Sequence, residues 1–431
     1  MIAYLILATS LIVLIVVGFP VGFGAGLISL LGAGYFFGDI FDPRSSSMIA
    51  RLAFAKTDNF LLLAIPFFLL AGRLMNTGGI TTRLFSFVSL TVRPLKGGLG
   101  HANVLASMIF AGMSGAATAD AVGLGAVEMK AMLDEGYDRN FSAAVTGASS
   151  LIGPIIPPSI AMVAYGVMAE ESVGAMFMGG IVPGIVLALG FMGYVAYCAH
   201  RYDYPSGKMA TVKELLTGFG QAFLPLMTPV IIVGGIYSGV FTPTEAAAAA
   251  AFYAIFLGMV VYREYGFRHL LREVRATMID CSVIMLIIAF TSSFGVVMIR
   301  GQIPTALASL LTQLTDNATV LLLLFVVFWL IVGFFMAQTP AILILTPILL
   351  PTAEQFGIDP IHFGVVMTLA LTLGLLTPPV GMVLYALMRV TDVSFEKLVV
   401  LVLPYVLITL GVVILLIFFP QLVLFLPQQL M

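Results

Sequence analysis

The sequence predicts an all-α integral membrane fold built as two inverted repeats, and three observations lead there. The 431 residues are 61% hydrophobic and only 9% charged, with a mean hydropathy of +1.12. A soluble domain is about one quarter charged, so this chain has too little polar surface to coat a water-exposed globule. Fifteen of its 19 Lys and Arg residues sort onto one side of the apolar runs. The chain also matches itself at a fixed shift, with the two copies lying in opposite senses. Composition narrows function as well. Net charge −2 with scattered basic residues argues against a nucleic-acid surface. Cys198 and Cys281 both sit in apolar stretches and make neither a disulfide framework nor a metal site.

Taken in order, the start MIAYLILATSLIVLIVVGFP lacks a basic leader and a small-residue cleavage site, so it reads as a first span and not a signal peptide. Apolar runs long enough to pass a bilayer give crossings at 3–19, 20–40, 58–76, 141–168, 173–199, 218–241, 244–262, 277–299, 361–388 and 398–420. The basic segment 43–56 reads as an amphipathic arm lying at the interface. Two further apolar stretches, 102–128 and 319–350, carry a polar or Pro/Gly-rich break at mid-length. Lys and Arg concentrate on the cytoplasmic side of membrane proteins. Arg73, Arg83, Arg93, Lys96, Lys130, Arg139, Arg201, Lys208, Lys213, Arg389, Lys397 and the polar break with Arg263, Arg268, Arg272 and Arg275 share one side only under one condition. The stretch 102–128 must begin and end there, and 319–350 must begin and end opposite. Both are expected as re-entrant hairpins.

A shift of 221 residues aligns 112–158 with 333–379 without a gap. It pairs Gly112 with Gly333, Gly136 with Gly357, Asp138 with Asp359, Gly153 with Gly374, and Pro157–Pro158 with Pro378–Pro379. A shift of 223 then pairs Gly72 with Gly295, Gly78 with Gly301 and Ile80 with Ile303. The expected division is therefore 1–215, with arm 43–56, hairpin 102–128 and broken helix 141–168, and 216–431, with hairpin 319–350 and broken helix 361–388. Inverted repeats with broken helices are a design of secondary transporters.

The chemistry concentrates where helices break. The first tip, FAGMSGAATADAVGLG, holds Ser114, Thr118 and Asp120. Backbone interrupted at membrane depth must line an enclosed, wet cavity. Ser114 and Thr118 are N-cap types, and Asp120 falls in the first turn of the returning half-helix, where the dipole favours a negative charge. Asp120 reads first as a structural cap, since its carboxylate would compete with a substrate anion, and second as part of an ion site. In TGASSLIGPIIPPSIAMVAYG, Pro158 has no amide hydrogen, so Gly153–Pro158 leaves carbonyls and amides free. The second copy repeats this with Gln338, Thr339 and Pro340 at its tip and LTLGLLTPPVGMVLY as its break. Carbonyl and hydroxyl oxygens suit hard cations, and half-helix N-termini accept anions. Two cation sites flanking one anionic substrate follow, with Thr118, Ser159 and Gln338 as candidate anion contacts. Ser292 and Ser293, beside Thr291, are further candidates, with back-bonding inside their own helix as the equal alternative. The four isolated histidines read as interfacial or loop residues, and Trp329 as lipid-facing or packing. The sequence contains no HExxH, no GxSxG elbow and no Walker A motif, so an ion gradient or the substrate's own gradient must supply the energy and no enzyme is expected.

The motifs SGAATADAVGLG, GPIIPPSIAMVAYG, GIYSGVFTPTEAAAAAAFYA at 235–254 and LGLLTPPVGMVLY together resemble the large membrane subunit of tripartite ATP-independent periplasmic (TRAP) transporters, over essentially the whole chain. The resemblance implies an elevator-type, sodium-driven carrier in the bacterial inner membrane, with no cofactor beyond the coupling ion. It implies delivery of substrate by a soluble periplasmic binding protein, and an attached small four-helix membrane subunit. The chain opens directly on the large-subunit pattern, so that subunit is expected as a separate chain. The family's substrates are usually small organic acids, C4-dicarboxylates and sialic acids among them. The first sodium is implied at Ser114 and Ala116, facing Gly153, Ile156 and Pro158. Ala116 stands where relatives often have a hydroxyl, so only its carbonyl would serve. The second is implied at Thr339, Gly374, Thr377 and Pro379. A stand-alone sodium–anion symporter is the rival reading, and TPTEAAA argues against it.

Overall fold

The computed structural model describes residues 2–39, 42–77 and 79–430, and among these no strand occurs. Gly78, of the Gly78/Gly301 pair, and the last residue of the 20–40 crossing lie outside the described residues. Helix is the expected outcome for apolar segments in lipid, because it satisfies every backbone group internally. Among the described residues, seven helices have the length and composition to cross a membrane: Phe60–Thr77, Val173–Arg201, Val212–Tyr237, Pro243–Val261, Phe267–Arg300, Ala318–Phe335 and Phe395–Phe418. The first two expected crossings are shorter helices, Ile2–Val16 and Val21–Phe37, packed on each other. The arm is helix Pro43–Thr57, started by Asp42, whose carboxylate accepts from the Arg44 amide, and by Pro43 in its first turn. Lys56 at its end meets Glu170 at 2.7 Å and, by hydrogen bonding it, holds that carboxyl below its usual range.

Residues 102–128 fold as two helices, Gly98–Ser114 and Ala117–Asp134, joined at Gly115–Ala116. The Leu99 amide donates to the Tyr137 hydroxyl at 3.4 Å, and that hydroxyl donates to the Pro205 carbonyl. The chain thus enters and leaves this hairpin at one end of the molecule. The second hairpin is Ala318–Phe335 and Gln338–Gln355. Each broken crossing is two helices around irregular backbone: Arg139–Ser149 with Ile160–Ala169, and Pro360–Leu373 with Met382–Thr391. Ion pairs Arg83–Glu264, Lys96–Asp203 and Arg139–Asp392 gather the residues expected to be cytoplasmic. Lys56–Glu170 and the Tyr165 hydroxyl on the Pro360 carbonyl join residues of the opposite group.

The positions that match at fixed shifts have matching local jobs. Asp138 and Asp359 each cap a broken crossing, accepting from two backbone amides. Gly136 and Gly357 both adopt positive φ just ahead of those caps, and Pro157–Pro158 and Pro378–Pro379 are both cis. Ile80 and Ile303 each begin a helix, Ile80–Val92 and Ile303–Thr312, which the apolar runs had not marked as separate elements.

Two expectations need correction. The Arg268–Arg275 run is not a polar break; it forms the first turns of the 34-residue helix Phe267–Arg300. Straight-chain Arg and Glu are good helix formers, so charge there marks a helix end projecting from the apolar layer. His101 and His362 are buried inside helices, 6% and 3% exposed, and the His362 ring is satisfied by the Leu416 carbonyl at 2.9 Å. TPTEAAA starts the crossing expected at 244–262: Thr242 and Glu245 form a reciprocal capping box, and buried alanines from Ala246 to Ala254 seat this helix on Ala64–Thr77.

Candidate functional site

The two hairpin tips and the two breaks meet around one cavity of about 390 Å³. Its wall is made of Gly115–Thr118 from the first tip, Ala337–Thr339 from the second, Pro154, Ile160 and Ala161 from the first break, and Leu375 and Met382 from the second. Leu69 and the Asp280–Ile284 stretch of Phe267–Arg300 complete it.

At the first tip the helix ends at Ser114, turns through Gly115 at φ 64°, and restarts at Ala117 with extended Ala116 as its cap. Only glycine fits the turn. A methyl built on Gly115 would stand 2.4 Å from the Pro158 carbonyl oxygen, and φ is in the left-handed region. Neither Ser114 nor Thr118 caps the returning helix: Ala116 offers no side-chain acceptor, so among the described residues no side chain caps its first-turn amides, which lie beside the cavity. Ser114 is 3% exposed, and its hydroxyl has no hydrogen-bond partner among the described residues. Gly153 packs on the Ala116–Ala117 peptide, where a methyl would be 3.4 Å from the Ala116 carbonyl carbon. Pro158 presents its carbonyl to Gly115, whereas the Ile156 side chain packs under Gly184. Asn103 fastens the hairpin to this crossing, donating to Thr146 and accepting from Ser149, each at 2.7 Å.

The second tip is held differently. Gln338 donates to the Thr368 carbonyl at 2.9 Å and the Thr372 hydroxyl at 2.8 Å, both on Pro360–Leu373. Gly333 and Gly374 touch through their backbones; a methyl on Gly374 would fall 2.2 Å from the Gly333 carbonyl oxygen. Thr339 lines the cavity, the Thr377 hydroxyl donates to the Leu373 carbonyl, and Pro379 follows in exposed backbone.

A family model for the tripartite ATP-independent periplasmic transporter, DctM component, matches residues 8–422. The chain belongs to the DctM family. Among curated relatives it is 41% identical to the sialic acid TRAP transporter large permease protein SiaM of Vibrio cholerae, over 96% of each chain. It is 38% identical to the C4-dicarboxylate TRAP transporter large permease protein DctM of Pseudomonas aeruginosa, over 91% of this chain and 92% of that one. The 2,3-diketo-L-gulonate large permease protein YiaN of Escherichia coli is also 38% identical, over 95% of each. Among solved structures, the YdaH transporter of Alcanivorax borkumensis aligns with a TM-score of 0.62 at 16% identity, covering 88% of this chain and 89% of that one, which supports the fold alone. This DctM-family chain is a transporter permease subunit, not an enzyme, and a multi-pass inner-membrane protein.

Not every expected anion contact reaches the cavity of this DctM-family permease. Ser159 is a helix cap: its hydroxyl donates to the Pro154 carbonyl at 2.6 Å and accepts from the Met162 amide. Ser292 donates back to the Ile288 carbonyl at 2.6 Å, and Ser293 to the Ala289 and Ile49 carbonyls. Neither is among the described residues lining the cavity, so back-bonding is the reading that fits. Thr118, Gln338 and Thr339 do line it. Asp120 sits in the first turn of Ala117–Asp134 as expected, yet it caps nothing. Apart from the Ser107 hydroxyl beside Asp120, its oxygens and those of Glu128 two turns on have no partner among the described residues, although both side chains are at most 1% exposed. Glu128 went unnoticed because nothing in AVEMKAML separates a buried acid from one on a wet face.

Proposed function

We propose that the chain is the transmembrane carrier of a sodium-coupled uptake system for a small organic anion, a carboxylate such as a C4-dicarboxylate or sialic acid. The observation that carries this reading is the convergence of both tips and both breaks on one cavity. The helix start at Ala117–Thr118, which no side chain caps among the described residues, suits an anion, and the Ser114 hydroxyl with the carbonyls at the tip–break contacts suits a hard cation. One sodium sits between Ser114, Ala116, Gly153, Ile156 and Pro158. The unpartnered Ser114 hydroxyl supports it, and Ile156 and Ala116 contribute through their carbonyls. The second sits between Thr339, Gly374, Thr377 and Pro379. The anion lies between them, against Thr118 and Gln338.

The two units 1–215 and 216–431 form the inverted halves, and the hairpins with their broken crossings move together as an elevator past the remaining helices. Substrate arrives on a periplasmic binding protein, and a small four-helix membrane subunit completes the permease. Relatives named as sialic acid and C4-dicarboxylate permeases support the substrate class. Cation binding draws tip and break together and shapes the amide-lined pocket, so sodium and anion strengthen each other's binding. Reconstitution with and without the binding protein and the small subunit tests the partners. Uptake is expected only with all three, and robust uptake by this chain alone would instead establish a stand-alone symporter.

A further inference from the structure

The cavity contains an electrostatic oddity. Among the described residues lining it, Asp280 alone carries a formal charge, and it has the same sign as the proposed substrate. Arg73, on the neighbouring helix Ala64–Thr77, reaches over and pairs with the Asp280 carboxylate. The same guanidinium lies 3.5 Å from Glu273, which is two turns before Asp280 on the same helix face and 14% exposed, and Glu273 in turn lies 3.6 Å from the His269 ring. Arginine suits this place, since its planar fork carries five donors and stays charged. Arg73 itself is not among the residues that line the cavity.

We infer that Arg73 makes the cavity admissible to an anion by offsetting Asp280. This rests on the cavity being the anion's route, and it adds a positioning residue that acts through another side chain. With Arg73 in place, the pair presents little net charge to an incoming carboxylate. Without it, Asp280 leaves one wall negative and Glu273 behind it adds to that field, so an entering anion is repelled while a cation is drawn in. The repeat argument does not reach this pair: Arg73 and Asp280 come from different halves and do not match at either shift.

The test reads the local field with small charged reagents, so it needs neither the substrate's identity nor sodium coupling. Val283, half-exposed on the cavity wall one turn from Asp280, is changed to Cys in a Cys198→Ser, Cys281→Ser chain within the assembled permease. Its modification rate is measured with the anionic sulfonatoethyl and the cationic trimethylammonioethyl methanethiosulfonates. Arg73→Gln is expected to lower the anionic-to-cationic rate ratio about fivefold, and Asp280→Asn to raise it about as much. Arg73→Lys should hold the ratio near the parent, which a purely structural role of the arginine shape would not predict. Arg73→Gln with Asp280→Asn should return it to within about twofold of the parent. An unchanged ratio in Arg73→Gln, or a double variant as depressed as Arg73→Gln alone, would overturn the inference. If Arg73→Gln does not assemble, Asp280→Asn decides the matter: a ratio that fails to rise refutes it. Loss of sodium-driven uptake in any variant bears on the transport reading and leaves the rate ratio untouched.

Discussion

At Gly374 there is no room for a methyl group, because the Gly333 carbonyl oxygen occupies the place it would take. At Gly153 the nearest neighbours of such a methyl lie at 3.2–3.5 Å, a tight but adjustable fit. Gly374→Ala is therefore expected to cost about 1–3 kcal/mol of overpacking and to abolish uptake, while Gly153→Ala keeps a measurable rate. Equal uptake by the two variants, at equal expression, would contradict this. The buried acids make a second residue-scale prediction. An unpaired charge in a low-dielectric interior is costly, and Asp120 and Glu128 have no basic partner among the described residues. Asp120→Asn and Glu128→Gln should leave the melting temperature of the purified protein unchanged or higher, and a fall of more than about 5 °C would show that each carboxylate has a stabilising partner. The sequence made Gly153, Gly374 and both proline pairs legible, because they recur in register in the two copies and proline cannot continue a helix. It left Ser159, Ser292 and Ser293 ambiguous, since a hydroxyl serves equally as cap, back-bond or ligand.

Between elements, the two tips are anchored by different means. The first hairpin is tied along its arm through Asn103 to Thr146 and Ser149, and the second at its tip through Gln338 to Thr368 and Thr372. Gln338→Ala should accordingly loosen the second tip only, raising backbone amide exchange around 336–340 while the 113–118 turn keeps its protection. Equal loosening of both would mean that the tips do not move independently of their crossings. The paired caps set a further expectation. Asp138→Ala and Asp359→Ala each remove a carboxylate that accepts from two backbone amides, and each should lower stability by about 1 kcal/mol. The hairpins and broken crossings were readable because charge sorting and the internal match constrained them from two sides. Helices Ile80–Val92 and Ile303–Thr312 were not, because a short amphipathic helix beside a longer apolar run shows no separate hydropathy peak.

For the molecule as a whole, the contacts divide the charged residues between two ends, and the basic-rich end is expected to face the cytoplasm. Cysteines placed at 171 or 356 should then label from the periplasm, and cysteines at 134 or 207 should not; ready labelling of 134 from outside would make the first hairpin a crossing. The two-ended architecture was legible from Lys and Arg alone. The Arg73–Asp280 pair was not, since no local pattern brings together residues 207 positions apart. The central claim is that sodium bound at the tip–break contacts closes the cavity around an anion. Changing Ser114 or Thr339 to Ala removes one oxygen from each proposed site and should raise the sodium concentration for half-maximal uptake without loss of folded protein. The most direct measurement is uptake by the complete system in proteoliposomes, with an inward sodium gradient imposed or replaced by potassium. Accumulation is expected only with the sodium gradient, and with a half-saturation that shifts in Ser114→Ala and Thr339→Ala. Undiminished uptake in potassium, indifferent to any sodium gradient, would contradict the account and leave the breaks at Gly153–Pro158 and Gly374–Pro379 as structural kinks.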